Sequence, residues 1–237
     1  MQQITLELFA PEAPTFENFI VGHNAEAVAA LRALAQRTPA PDARLAAQVI
    51  VLWGAPGVGK SHLLEALATA ARAAGRHALA ATPHELCADP FVETDLLILD
   101  EVDRYDREGQ AAAFTAFNHV QARGGAIAAA CTEAPLTSPL RPDLRSRLGS
   151  GLVFEIRALP QDALPSLLRA YSAQCGFTIG DEVLAYVLTR YARDVRSLRE
   201  ALRAIDRLSL ATHRPVTIPL ARAALAALER QRRGHPC

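Results

Sequence analysis

A chain of 237 residues, half of them apolar, is long enough to bury one large core, or a medium core and a small one. Its 25 basic side chains equal its 25 acidic ones, which argues against coating nucleic acid by charge alone, because that mode needs surplus Lys and Arg to neutralise phosphates. No apolar run approaches the roughly 20 residues that cross a bilayer, and no basic-then-apolar leader opens the chain, so a cytoplasmic protein with no membrane contact is expected. The four cysteines, Cys87, Cys131, Cys175 and Cys237, are scattered without metal-ligand spacing and read as thiols.

In chain order, Gln3-Ile-Thr-Leu6-Glu-Leu8-Phe9 alternates polar and apolar residues and runs into two prolines, which reads as an extended tail. Ala25 to Ala35 has helical spacing, and Thr38-Pro-Ala-Pro-Asp42 breaks the chain. Strands and helices then alternate. Gln48 to Trp53 is a short strand, Ser61 to Ala74 a helix and His77 to Ala81 a weak strand. Asp95 to Leu99 is a strand apolar on both faces, and Glu108 to Ala122 is a helix stopped by Gly124-Gly125. Ala126 to Cys131 and Gly151 to Ile156 supply two more strands. Such alternation predicts an α/β domain with a parallel sheet covered on both sides. After Pro160 only helices follow: Ala163 to Gln174, Asp181 to Tyr191, Asp194 to Ala211 and Thr217 to Arg230.

The strongest chemical signal is Gly54-Ala-Pro-Gly57-Val58-Gly59-Lys60-Ser61, set between an apolar strand and a helix. Glycines let backbone N–H groups curl around phosphate oxygens, and the N-terminal end of the following helix favours anions. Lys60 is expected to reach the β- and γ-phosphates and Ser61 to hold Mg²⁺. The second signal is Leu96-Leu-Ile-Leu99-Asp100-Glu101. At the end of a buried strand, Asp100 can share Mg²⁺ with Ser61, and Glu101 can orient or deprotonate an attacking water. Arg145 and Arg147 are expected in a turn before the last strand, and Arg196 in the first turn of a helix. Each arginine can serve a phosphate or can be a surface residue paired with a carboxylate. Thr132, ending the fourth strand, can sense a γ-phosphate or start a turn.

These pieces together resemble the AAA+ ATPases, specifically the DnaA branch. Thr15-Phe-Glu-Asn-Phe-Ile-Val-Gly22-His-Asn24 is similar to the box that opens the DnaA nucleotide domain and packs near adenine there. Gly59-Lys60-Ser61-His62-Leu63-Leu64 resembles its phosphate loop, which adds His62 to the expected site. Leu144-Arg-Ser-Arg147-Leu-Gly149-Ser-Gly151 resembles the box with the arginine finger, mapping the finger to Arg147, and Asp194-Val195-Arg196-Ser-Leu198 resembles sensor 2, mapping that arginine to Arg196. The resemblance implies an AAA+ P-loop NTPase with a five-stranded parallel sheet flanked by helices, followed by a small all-helical lid. It also implies ADP or ATP with Mg²⁺ as cofactors. The expected organisation is a tail at 1–14, a nucleotide-binding domain at 15–159, a lid at 160–230 and a frayed end at 231–237.

Two departures refine the resemblance. The chain stops after the lid, leaving no room for the helix-turn-helix domain of DnaA. The N-terminal Gln3-Ile4-Thr5-Leu6-Glu7-Leu8 resembles the clamp-binding peptide of bacterial replication proteins, in which a Gln makes polar contacts and apolar side chains fill a pocket. The combination is similar to the Hda family of DnaA regulatory inactivators. That resemblance implies DnaA and the β subunit sliding clamp of DNA polymerase III as partners, a homo-oligomer, and DNA contact mainly through the clamp, with Gln3, Leu6 and Leu8 as clamp contacts. A self-sufficient ATPase, such as a helicase loader, is the alternative supported by Asp100-Glu101. A DNA-binding initiator paralogue is a third.

Overall fold

A computed structural model of the chain describes residues 13–36, 48–88, 93–160, 162–190 and 195–233. The chain divides into two units, Met1–Ala158 and Leu159–Cys237. In the first unit the central strands β1 (Val49–Trp53), β3 (Leu96–Leu99) and β4 (Ala126–Cys131) contain no charged residue. Strands of that composition are buried on both faces, which suits the interior of a parallel sheet. With β2 (Ala78–Ala80) and β5 (Leu152–Glu155) they form a five-stranded sheet in the order β2-β3-β4-β1-β5. All four pairings are parallel, and Val51 of β1 lies opposite Ala129 on one side and Val153 on the other.

Because side chains alternate along a strand, the sheet presents two apolar faces. Ile50, Leu52, Leu96, Ile98 and Ala128 pack with α1 (Ala25–Ala35) and α2 (Lys60–Ala73). Val51, Leu97, Leu99, Ile127 and Ala129 pack on the opposite face with α3 (Pro83–Ala88), α4 (Arg107–Ala122) and α5 (Pro142–Gly149). The helices have legible starts. Asp106 caps α4 by accepting the Gly109 N–H at 2.7 Å. Ahead of α3, Thr82 and Glu85 bond reciprocally, the Thr82 N–H donating to Glu85 Oε2 at 2.7 Å and the Glu85 N–H to Thr82 Oγ1 at 3.4 Å.

Two elements depart from the sequence reading. Residues 83–88 form α3, where no element is expected, because Pro83 occupies the first turn and the Thr82–Glu85 pair closes it. Arg145 and Arg147 stand on α5, not in a turn. Pro142 begins that helix, and Leu144 and Leu148, one turn apart, are fully buried against the sheet.

The second unit is helical: α6 (Ala163–Gln174), α7 (Asp181–Arg190), α8 (Val195–Thr212) and α9 (Ile218–Arg233). Its core holds Leu168, Val187, Leu198, Leu202, Ile205 and Ala221. Buried Tyr171 carries the Arg199 guanidinium 4.9 Å above its ring and receives a hydrogen bond from Arg203 Nε on its hydroxyl. Among the described residues no helix is long and apolar enough to cross a membrane.

Phe117 of α4 is fully buried and one of the largest side chains in the core. Phe117→Ala is expected to cost about 3–5 kcal/mol, read as a lower urea midpoint with an unchanged slope.

Candidate nucleotide site

The site is built where β1 hands the chain to α2. Gly54 leaves β1 with φ +148, and a Cβ there would lie 2.4 Å from the Ile156 carbonyl oxygen, just past β5. Gly59 has φ +104, and a Cβ there would meet Phe19 Cε2 at 2.8 Å. Both positions therefore require glycine, for backbone conformation and for space. Gly57, with φ +81, and half-buried Val58 complete the bend between them.

Lys60 opens α2 and is 8% exposed. Its ammonium folds back over the loop, donating to the Gly54 carbonyl at 2.6 Å and the Ala55 carbonyl at 3.0 Å. Burial lowers its pKa, and the charges of Asp100, Asp103 and Glu101 work against that shift. Ser61 and His62 follow, both half-buried.

Asp100 directly follows β3, and its Oδ1 accepts the Glu101 N–H at 2.9 Å. Glu101 has φ +47, a left-handed conformation that non-glycine residues seldom adopt. Its exposed carboxylate pairs with Arg104 at 2.9 Å across a single 3₁₀ turn, Val102–Arg104. Asp103, absent from the sequence-predicted set, reaches the end of β4, where its Oδ2 accepts the Thr132 N–H at 2.7 Å. Its only sequence signal is its place three residues after Asp100. The structure thus gathers Lys60, Asp100, Glu101 and Thr132 at the carboxyl ends of neighbouring strands, where open parallel sheets bind ligands.

The segment at 15–24 is fastened to both sides of this loop. Thr15 and Asn18 bond reciprocally, backbone N–H to side-chain oxygen, at 2.9 and 3.3 Å. His62 Nε2 donates to the Thr15 carbonyl at 3.0 Å, and its ring centroid stands 5.5 Å from that of Phe19. Asn24 donates to the Arg157 carbonyl at 3.0 Å and accepts the Arg157 N–H at 2.9 Å. Phe19 and Asn24 are thereby added as positioning residues, and His62 is occupied by this segment.

Arg147 lies in the last turn of α5, half-buried, with Nη1 donating to Gln121 Oε1 of α4 at 3.4 Å. No carboxylate pairs with it among the described residues. Arg196 lies in the first turn of α8, in the second unit. Gln3, Leu6 and Leu8 fall outside the described residues.

The loop fits a polyphosphate. Its buried ammonium rests on two carbonyl oxygens, the kind of acceptor that phosphate oxygens would replace. Mg²⁺ would find a hydroxyl on Ser61 and a carboxylate on Asp100. No cluster of three metal-ligating side chains exists among the described residues.

Comparison with known proteins follows the two units. Residues 11–155, over half of the chain, match the family model described as the bacterial DnaA ATPase domain, and residues 162–225 match that of the Hda lid domain. An uncharacterized protein of Haemophilus influenzae is 29% identical over 229 residues, covering 92% of this chain and 96% of its own length. Domain III of the Thermotoga maritima replication initiation protein DnaA aligns with TM-score 0.74 at 22% identity, covering 92% of this chain and 98% of that one. AMPPCP-bound DnaA from Aquifex aeolicus aligns with TM-score 0.65 at 23% identity, covering 84% of this chain and 66% of that one. The fold is thus the AAA+ fold of DnaA, a parallel five-stranded sheet flanked by helices and followed by a helical lid.

Cys131, at the end of β4 beside Lys60, has its thiol pushed up to about 12 by burial and by the nearby charge of Asp103. At pH 8, alkylation of the folded protein followed by peptide mapping is expected to label exposed Cys175 and spare Cys131. The raised thiol contributes stability that is fully present below its ordinary value of 9.0 and is lost as pH climbs from there towards about 12. Cys131→Ala should flatten that alkaline loss in denaturation midpoints.

Proposed function

The chain belongs to the bacterial DnaA ATPase-domain family and carries an Hda-type lid, and from that premise we propose a nucleotide-held regulator of replication initiation. In this reading it binds ADP or ATP with Mg²⁺, docks on the DNA-loaded sliding clamp, and stimulates hydrolysis of the ATP held by DnaA. The observation that carries the proposal is the state of Arg147. It stands on a short helix, held by a neutral amide and paired with no carboxylate among the described residues, so its charge is available to a partner's phosphate.

Nucleotide binding is supported by the glycine geometry of the loop and by the AMPPCP complex of a DnaA neighbour. Gly54, Gly57, Val58 and Gly59 would present backbone N–H groups to phosphate, and Lys60 would leave its loop carbonyls for phosphate oxygens. Ser61 and Asp100 would hold Mg²⁺, which neutralises charge between the β- and γ-phosphates. Thr132 would face the terminal phosphate, and Arg196 would report nucleotide state from the lid. Gln3, Leu6 and Leu8 would supply the clamp contacts, so DNA is met mainly through the clamp. A homo-oligomer is compatible with an arginine offered in trans. His62 contributes by anchoring Thr15.

The intact Asp100-Glu101 pair keeps a second reading in play, a self-sufficient ATPase such as a helicase loader. Clamp-independent turnover by this chain alone, abolished in Glu101→Ala, would favour it. The engagement of Glu101 with Arg104 supports slow turnover instead.

Hydrolysis of DnaA-bound ATP, measured with this chain and DNA-loaded clamp, tests the proposal. Arg147→Ala is expected to retain nucleotide and clamp binding and to lose stimulation by roughly 10³-fold or more. Full stimulation by that variant removes the finger assignment. In a clamp pull-down, the Gln3→Ala, Leu6→Ala double variant is expected to be lost, and equal retention removes the clamp contact.

A further inference from the structure

We propose that Asp103 is a positioning residue for the end of β4, holding Thr132 where it discriminates a nucleoside triphosphate from a diphosphate. The inference rests on the reading of this loop as an adenine-nucleotide site with Thr132 toward the terminal phosphate.

Its first support is a contact across 29 positions of sequence, from Asp103 Oδ2 to the Thr132 N–H at 2.7 Å. A charge-assisted bond of that length fixes the strand end more firmly than a neutral one. Asp103 is itself held. It sits in the 3₁₀ turn after β3, between fully buried Val102 and Arg104, whose N–H donates to the Glu101 carbonyl at 2.8 Å. The end of β3 is thus joined to the Thr132 amide through one short turn and one hydrogen bond.

The other carboxylate oxygen points beyond a structural role. Oδ1 is buried and has no hydrogen-bond partner among the described residues. An unsatisfied buried acceptor is costly, and an asparagine would serve an amide cap without placing a charge there. The charge does act on its surroundings. It disfavours ionisation of the buried Cys131 thiol, the last residue of β4. Asp103 thus bonds the end of β4 and places a buried negative charge there.

The test compares Mg²⁺-ADP with a Mg²⁺-bound non-hydrolysable ATP analogue by calorimetric titration of the full chain. Asp103→Asn keeps shape and an acceptor but removes charge. It is expected to change the ratio of the two Kd values roughly tenfold while the melting temperature stays within about 2 °C of wild type. Asp103→Ser, which also removes the charge, is the second variant should Asn fold poorly, with the same shift expected. Thr132→Ala checks the underlying reading. A ratio moved by Thr132→Ala but not by either Asp103 variant overturns the inference and leaves the site reading standing. A ratio moved by neither residue, or a wild type that binds no nucleotide or does not discriminate, overturns both. Equal weakening of both nucleotides with a lowered melting temperature would make Asp103 merely structural.

Discussion

A buried ammonium organises the working end of the first unit. Taking a lysine out of water costs several kcal/mol unless oxygens and negative charge replace the lost hydration. At Lys60 the oxygens come from two carbonyls of its own loop, and the charge comes from carboxylates after β3. The loop must therefore curl tightly enough to present Gly54 and Ala55 to a side chain six and five positions later. That curl is possible because Gly54, Gly57 and Gly59 adopt positive φ values and lack a Cβ. A polyphosphate would meet the same demand with its own oxygens.

The N-terminal box belongs to this arrangement. Phe19 fills the space that a side chain at residue 59 would take, and His62 ties Thr15 to the helix beginning at Lys60. Asn24 exchanges two hydrogen bonds with Arg157, beyond the strand that packs beside β1. The segment at 15–24 is thereby joined to the loop on one side and to the exit of β5 on the other.

Charge is segregated more than the composition suggests. Overall neutrality hides an excess of carboxylates in the first unit and of arginines in the second. Not all of those arginines serve solvent. Arg199 and Arg203 converge on Tyr171, where ring and hydroxyl take up their guanidinium groups. Arg147, in the carboxylate-rich unit, bonds the neutral amide of Gln121 and has no acid beside it among the described residues.

What the sequence by itself determined was whatever a local pattern encodes. Unbroken apolar runs at 49–53, 96–99 and 126–131 specify buried strands, and the glycine spacing ahead of Lys60 specifies the loop, because hydrophobic period and backbone permissiveness are properties of adjacent residues. Short helices slipped through: α3 and α5 span barely two turns, too little periodicity to register beside their prolines. Only the tertiary structure decided which distant groups meet. Strand order brings β3 beside β4, and so Asp103 to Thr132, while the closure of β5 on β1 brings Arg157 to Asn24. Those bonds depend on backbone pairing between segments far apart in sequence, and no pattern within either segment announces the other.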